Sequence, residues 1–181
     1  MRRLVLLGLV VAVAGVAAWL IFATPNAVER LRYPLRYTAI VRGHAHNYDI
    51  DPALLAAVIE AESKFNADAR SSSGAIGLMQ LMPATAHGIA VHTGGANFHT
   101  DDLYNPEINV RYGAWYLRHL LDKYHDDERT ALAAYNAGQE NVDEWLASGS
   151  GIRFPETRAY VDHVEKLKRI YGHVWRAQLD G

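Results

Sequence analysis

Residues 51–65 read Asp51-Pro52-Ala53-Leu54-Leu55-Ala56-Ala57-Val58-Ile59-Glu60-Ala61-Glu62-Ser63-Lys64-Phe65, and this stretch decides the fold class. Asp51 supplies an N-cap, and Pro52 takes the first helical position, where a missing N–H costs nothing. The apolar residues recur at helical spacing: at about 100° per residue, with Val58 at zero, Leu54 falls near −40°, Phe65 near −20° and Leu55 near +60°. Glu62 falls at about +40°, inside that apolar face, whereas Glu60 falls at about 200° and is expected on the wet side. A carboxyl among Leu, Val and Phe loses solvation, and its proton affinity rises, which suits a general acid working near neutral pH. The alternative is a helix-end glutamate satisfied by a nearby donor. This helix alone leaves both readings open.

Outward from it, helical signals dominate. Residues 35–46 form a modest helical stretch, and Asn105-Pro106 repeats the Asx-Pro start. Val110, Gly113, Ala114, Leu117, Leu120, Leu121 and Tyr124 then share one face of a central core helix, with Gly113 allowing close approach of a neighbour. A helix over 130–137 ends at Gly138, a short one around Val142, Trp145 and Leu146 ends at Gly149, and Tyr160, Val164, Leu167, Tyr171 and Val174 stripe a last one. No segment alternates with period two, so the chain reads as mainly α, with room for a small β-hairpin in the loops at 71–77 or 92–102.

The 181 residues, 50% hydrophobic and 21% charged, match one globular domain. With no Cys, a disulfide scaffold, a thiolate metal site and a cysteine nucleophile are excluded. Leu4 to Ala23 is a run of 20 uncharged residues after Arg2 and Arg3. Such a helix is long enough to span a bilayer core, and the exit Phe22-Ala23-Thr24-Pro25 lacks the small-residue pattern of a cleavage site. The expected organisation is a membrane anchor or signal segment over 1–24, a linker over 25–34 and a catalytic domain over 35–181. The basic residues before the span place the amino terminus in the cytoplasm and the rest outside: inner-membrane anchored with the domain in the periplasm, or exported. Taking Arg2 and Arg3 from the 18 basic residues leaves 16 against 20 acidic, a net −4 with no footprint for nucleic acid.

After a Ser/Gly loop comes Gly77-Leu78-Met79-Gln80-Leu81-Met82-Pro83. Two glycines at 74 and 77 permit tight backbone approach, and Gln80, with both a donor and an acceptor, suits an amphipathic ligand such as a sugar. The two methionines also fit a core role. Tyr104, Tyr112, Trp115, Tyr116, Tyr135, Trp145 and Tyr160 are candidates for stacking on a saccharide, with Tyr112 and Trp115 lying off the packing face of their helix. The histidines make no metal site: His44 and His46 point to different helical faces, and no His-Glu-x-x-His occurs. The acidic pairs read as helix caps.

Val58 to Ser63, Gly77 to Ala86, Asn109-Val110 with Gly113 and Tyr116-Leu117, Ala134-Tyr135-Asn136-Ala137-Gly138, and Glu156-Thr157-Arg158 with Tyr160-Val161 occur in one order over about residues 35–175. In that order the chain resembles the lytic transglycosylases with a soluble-type catalytic domain, members of the lysozyme-like group that cut bacterial cell-wall glycan. The resemblance implies a lysozyme-like helical fold with Glu62 as the catalytic acid/base. It implies that Ser71, Met79, Gln80, Met82, Tyr135, Asn136 and Glu156 bind substrate, with the Tyr135 hydroxyl facing the catalytic carboxyl. Ser72 and Ala67 stand where relatives often carry Pro, which loosens the loop without touching the chemistry. Ordinary glycosidases need two carboxylates. Here the resemblance implies one, with the substrate's N-acetyl group as its partner, no cofactor, and 1,6-anhydromuramic acid ends as product. The rivals are hydrolysis on the same fold, as in goose-type lysozymes or chitin-cleaving enzymes, and a non-catalytic glycan-binding module of a secretion machine. Expected partners are peptidoglycan strands, the membrane through the N-terminal helix, and envelope or secretion-system proteins.

Overall fold

The computed structural model describes residues 2–23, 26–95 and 97–181, and the side chains over those ranges apart from residues 2–5, 7, 17 and 20–23. The chain divides into two compact units, Met1–Pro34 and Leu35–Gly181. The first holds α1 (Arg2–Ala23) and α2 (Ala27–Arg32). Among the described residues no helix is long and apolar enough to cross a membrane. The expected exit at Thr24-Pro25 lies outside the described residues.

The second unit holds α3 (Thr38–Asn47), α4 (Pro52–Ser63), α5 (Pro83–Thr93), a 3-10 turn (Thr100–Tyr104), α6 (Pro106–Lys123), α7 (Glu128–Ala137), α8 (Gln139–Ser148), α9 (Pro155–Val174) and α10 (Arg176–Asp180). Side-chain caps set several starts. Asp51 accepts from the Ala53 amide at 2.8 Å, Asn105 from the Glu107 amide at 2.9 Å, and Asp127 from the Arg129 amide at 3.1 Å. Gly138 and Gly149 follow the last residues of α7 and α8. Helix α5 carries weak apolar periodicity and α10 is only five residues long, and the sequence does not single them out.

Helix α4 is the centre. Its residues Ala53 to Glu60 are all buried, and its most extensive packing is with α9, on which Val161, Val164, Leu167 and Tyr171 are buried. Leu54, Leu55, Val58 and Ile59 are each nearly inaccessible, and each contributes about 1.5–3 kcal/mol by leaving water. Because α4 is covered on every side, the expectation that Glu60 faces solvent fails: Glu60 is 9% exposed and accepts a hydrogen bond from the Tyr171 hydroxyl at 3.3 Å. Burial pushes its proton affinity up. Tyr112, expected off the packing face, is also buried, in a cluster with Ile76, Leu81, Ala86, Ile89 and Leu103.

No hairpin with paired strands forms among the described residues. The first loop instead carries two isolated antiparallel bridges, Arg70 with Ile76 and Ile76 with Leu81. Asn109 in α6 holds it in place. Its side-chain amide donates to the carbonyls of Ile76 (2.9 Å) and Leu103 (2.8 Å), and its oxygen accepts from the Met79 amide (2.8 Å). Gly77, at φ +79°, lies against that same amide group, so no Cβ fits there.

Candidate active site

Helix α4 stops one residue after Glu62. Lys64 and Phe65 both take left-handed backbone, at φ +53° and +59°, and turn the chain away while the Phe65 ring is driven into the core. Glu62 thus occupies the last turn, half-buried. Ser63 beside it fixes the next wall: its hydroxyl reaches the Leu78 carbonyl at 2.7 Å. The Tyr135 hydroxyl, from α7, donates to the Met79 carbonyl at 2.9 Å. Two side chains therefore hold the 78–79 backbone beside the end of α4.

The carboxyl of Glu62 accepts a 2.6 Å hydrogen bond from the Tyr160 hydroxyl of α9. Burial raises its pKa to about 7, and the Tyr160 bond only partly opposes that rise. No cationic side chain forms an ion pair with it among the described residues. Tyr135 and Tyr160 are themselves pushed well up, first by burial and then by the Glu62 charge, so both keep their protons over the working pH range. A carboxyl poised near neutrality, beside protonated phenols, can donate a proton and later take one back.

The residues expected at the site are only partly gathered in the way the resemblance implies. Tyr135 lies close enough to feel the Glu62 charge, yet its hydroxyl is bound to Met79, and the carboxyl's partner is Tyr160. The apolar period of α9 places Tyr160 in a packing stripe and hides this contact. The available signal is its position four residues after Glu156, on the same helical face. Met79 is a correction: its side chain is 0% exposed and packs on Gly113, so it belongs to the core and offers only backbone to the site. Met82, two residues past a reversal that puts Gln80 at φ +47°, is 42% exposed. The Gln80 amide nitrogen is committed to the carbonyls of Ala69 (3.2 Å) and Gly77 (3.0 Å), which closes the loop on itself. Ser71 accepts from the Ala75 amide at 2.9 Å and pairs with the Ser73 hydroxyl at 2.8 Å. Asn136 accepts from the buried Thr157 hydroxyl at 2.8 Å, which ties the end of α7 to the first turn of α9, where Glu156 is exposed. No group of three or more His, Asp or Glu side chains fit for a metal occurs among the described residues.

A family profile described as the transglycosylase SLT domain matches residues 39–152. The soluble lytic murein transglycosylase of Salmonella typhimurium is 33% identical over 153 residues, 78% of this chain and 24% of that protein. The X-ray structure of an inactive mutant of lytic transglycosylase Slt from Pseudomonas aeruginosa superposes with a TM-score of 0.76 at 35% identity, covering 82% of this chain and 26% of that one. The 70 kDa soluble lytic transglycosylase of Escherichia coli gives a TM-score of 0.76 at 29% identity, over 81% of this chain and 25% of that one. The mainly helical, lysozyme-like fold expected from the sequence is therefore shared with these structures. The chain spans about a quarter of the length of these three proteins.

Proposed function

The chain belongs to the transglycosylase SLT domain family, and on that premise we propose that it cleaves the β-1,4 bond between N-acetylmuramic acid and N-acetylglucosamine in peptidoglycan without consuming water. One observation carries the reading: a half-buried Glu62 carboxyl with a pKa near 7, held by a tyrosine and unpaired by any cation among the described residues. Its proton passes to the bridging oxygen as the bond to the anomeric carbon breaks. The N-acetyl carbonyl oxygen of the same sugar stabilises the positive charge at that carbon. Glu62, now a carboxylate, takes the proton of the carbon-six hydroxyl as that oxygen closes on the anomeric carbon, and the 1,6-anhydro end forms. The proton that Glu62 gives is thus restored. Ring closure competes with water, so orientation is decisive. Tyr135 shapes the wall by holding the Met79 carbonyl, while the free end of Gln80, Ser71, Met82, Asn136 and Glu156 contact the glycan.

The test is the mass of the products. Digested cell wall should carry ends lighter by one water than hydrolysed ends, and Glu62→Gln should lower their rate of formation by about 10²–10⁴-fold. Ends that are all reducing would replace this reading with hydrolysis on the same fold. Unchanged wall clearance by Glu62→Gln would take Glu62 out of the chemistry, and no clearance by the wild type would leave only a glycan-binding module.

The uncharged run from Leu4 to Ala23 supports membrane anchoring, with the domain on the envelope side. After expression of the full chain, the protein should stay with membranes through an alkaline carbonate wash and appear in the pellet. Recovery in the wash, at full length, would count against an anchor.

A further inference from the structure

Thr157, in the first turn of α9, is a buried polar side chain that the chemistry at Glu62 leaves unused. It is 1% exposed, and a hydroxyl taken that far from water must place its proton on a protein acceptor or lose a hydrogen bond outright. Its partner is the side-chain oxygen of Asn136, at 2.8 Å, near the end of α7. No other acceptor takes that proton among the described residues.

The direction of this bond decides which way the Asn136 amide faces. Were the amide turned over, Thr157 Oγ1 would accept from the amide nitrogen, and the buried hydroxyl proton would have no partner. The Asn136 oxygen is therefore turned inward. Its NH2 group, with two donors, projects from an exposed residue, and no protein group accepts from it among the described residues. The backbone beneath it is already closed: the Gly138 amide donates to the Ala134 carbonyl at 2.9 Å, and the Asn141 side chain donates to the Ala137 carbonyl at 2.7 Å. The donors thus stand on a fixed turn, one residue after Tyr135, which feels the Glu62 charge. On α9, three residues beyond Thr157, Tyr160 binds the Glu62 carboxyl at 2.6 Å. An exposed asparagine ordinarily samples both faces, because its last torsion is broad and twofold and water serves either end. Thr157 removes that choice.

Resting on the peptidoglycan reading of the Glu62 site, we propose that Thr157 is a positioning residue, which locks the Asn136 amide with both donors facing the glycan. The position then takes an acceptor oxygen, such as the carbonyl of an acetamide group, and offers no acceptor to the proton of a sugar hydroxyl. Thr157 acts through Asn136 and not through the proton carrier, so its contribution falls on binding rather than on the chemical step.

The test uses the full chain and soluble, uncrosslinked peptidoglycan strands, with every new glycan end counted whatever its form. Thr157→Val keeps the side chain's shape and removes the hydroxyl. KM should rise about fivefold, the scale of one neutral hydrogen bond, with kcat within about twofold and the alkaline limb of the rate unmoved. Thr157→Ser, which keeps the hydroxyl, should stay within about twofold of the wild-type KM. With Asn136→Ala already present, Thr157→Val should raise KM by less than about twofold further, because its route to the substrate is gone. Asn136→Asp keeps the acceptor for Thr157 and has no donors; at an exposed position it serves if Thr157→Val folds poorly, and it should raise KM as Asn136→Ala does. A staple between α7 and α9 would instead lower the melting temperature and leave KM alone, and that outcome overturns the proposal. So would a fall in kcat with a shifted alkaline limb, which places the effect on Tyr160 and Glu62, or losses in KM that multiply in the double variant. The mass of the wild-type products is read separately. Ends that are all reducing would remove the transglycosylase reading and leave the result at Thr157 and Asn136 standing, whereas anhydro ends with an unmoved KM would do the reverse.

Discussion

The bond from Tyr160 to Glu62 lowers the carboxyl's proton affinity against the larger effect of burial. Tyr160→Phe removes the opposing influence, so the Glu62 pKa should rise and the alkaline limb of kcat/KM should move to higher pH. The rate below that limb should fall by about tenfold through loss of orientation, the scale of one hydrogen bond to a charged group. A profile that keeps its midpoint while the rate falls would show that Tyr160 serves packing alone. At this scale the sequence was legible where a residue's environment is local. Helical angles place Glu62 among apolar neighbours, and it is half-buried. They place Glu60 in water because one helix seen alone has an outside, and α4 has none once α9 and its Tyr171 close over it. The Tyr160 contact joins residues 98 positions apart, and no local period encodes it.

Among the elements, the site depends on close approach between α6 and the 76–81 reversal. A Cβ on Gly113 would lie 2.8 Å from the Cβ of Met79, closer than real contacts allow. Gly113→Val should therefore cost roughly 1–3 kcal/mol as overpacking, read as a lower urea midpoint with an unchanged slope, and should displace the Met79 carbonyl that Tyr135 holds. An unchanged midpoint would mean that α6 can shift without loss. Helix starts marked by Asp51-Pro52 and Asn105-Pro106 were readable because capping is chemistry between neighbours. The close approach at Gly113 was readable too, from a small residue in an apolar stripe. The reversal itself was not, since its shape is set by Asn109, a polar residue on a helix some thirty positions later, which binds the Met79 amide and the carbonyls of Ile76 and Leu103. For the same reason the room left for a hairpin is filled by isolated bridges rather than strands.

For the whole molecule, the half-buried carboxyl sets fold stability against the proposed catalysis. Glu62 titrates near 7 in the folded chain and near 4.5 when exposed, so the folded state binds its proton more tightly. That preference stabilises the fold fully below about pH 4.5 and is lost as pH rises through 7. Above pH 7 the wild type therefore carries a buried charge worth up to about 3 kcal/mol against folding, and Glu62→Gln, which has no charge to bury, should melt higher. The two proteins should converge in acid and separate between about pH 4.5 and 7, and parallel melting curves across that range would contradict the assignment. An inactive variant sturdier than its parent would mark a site whose chemistry is held at a cost to folding. Laboratory selection of this chain for heat resistance alone would accordingly favour loss of the acid at position 62, and would gain robustness by discarding the proposed reaction.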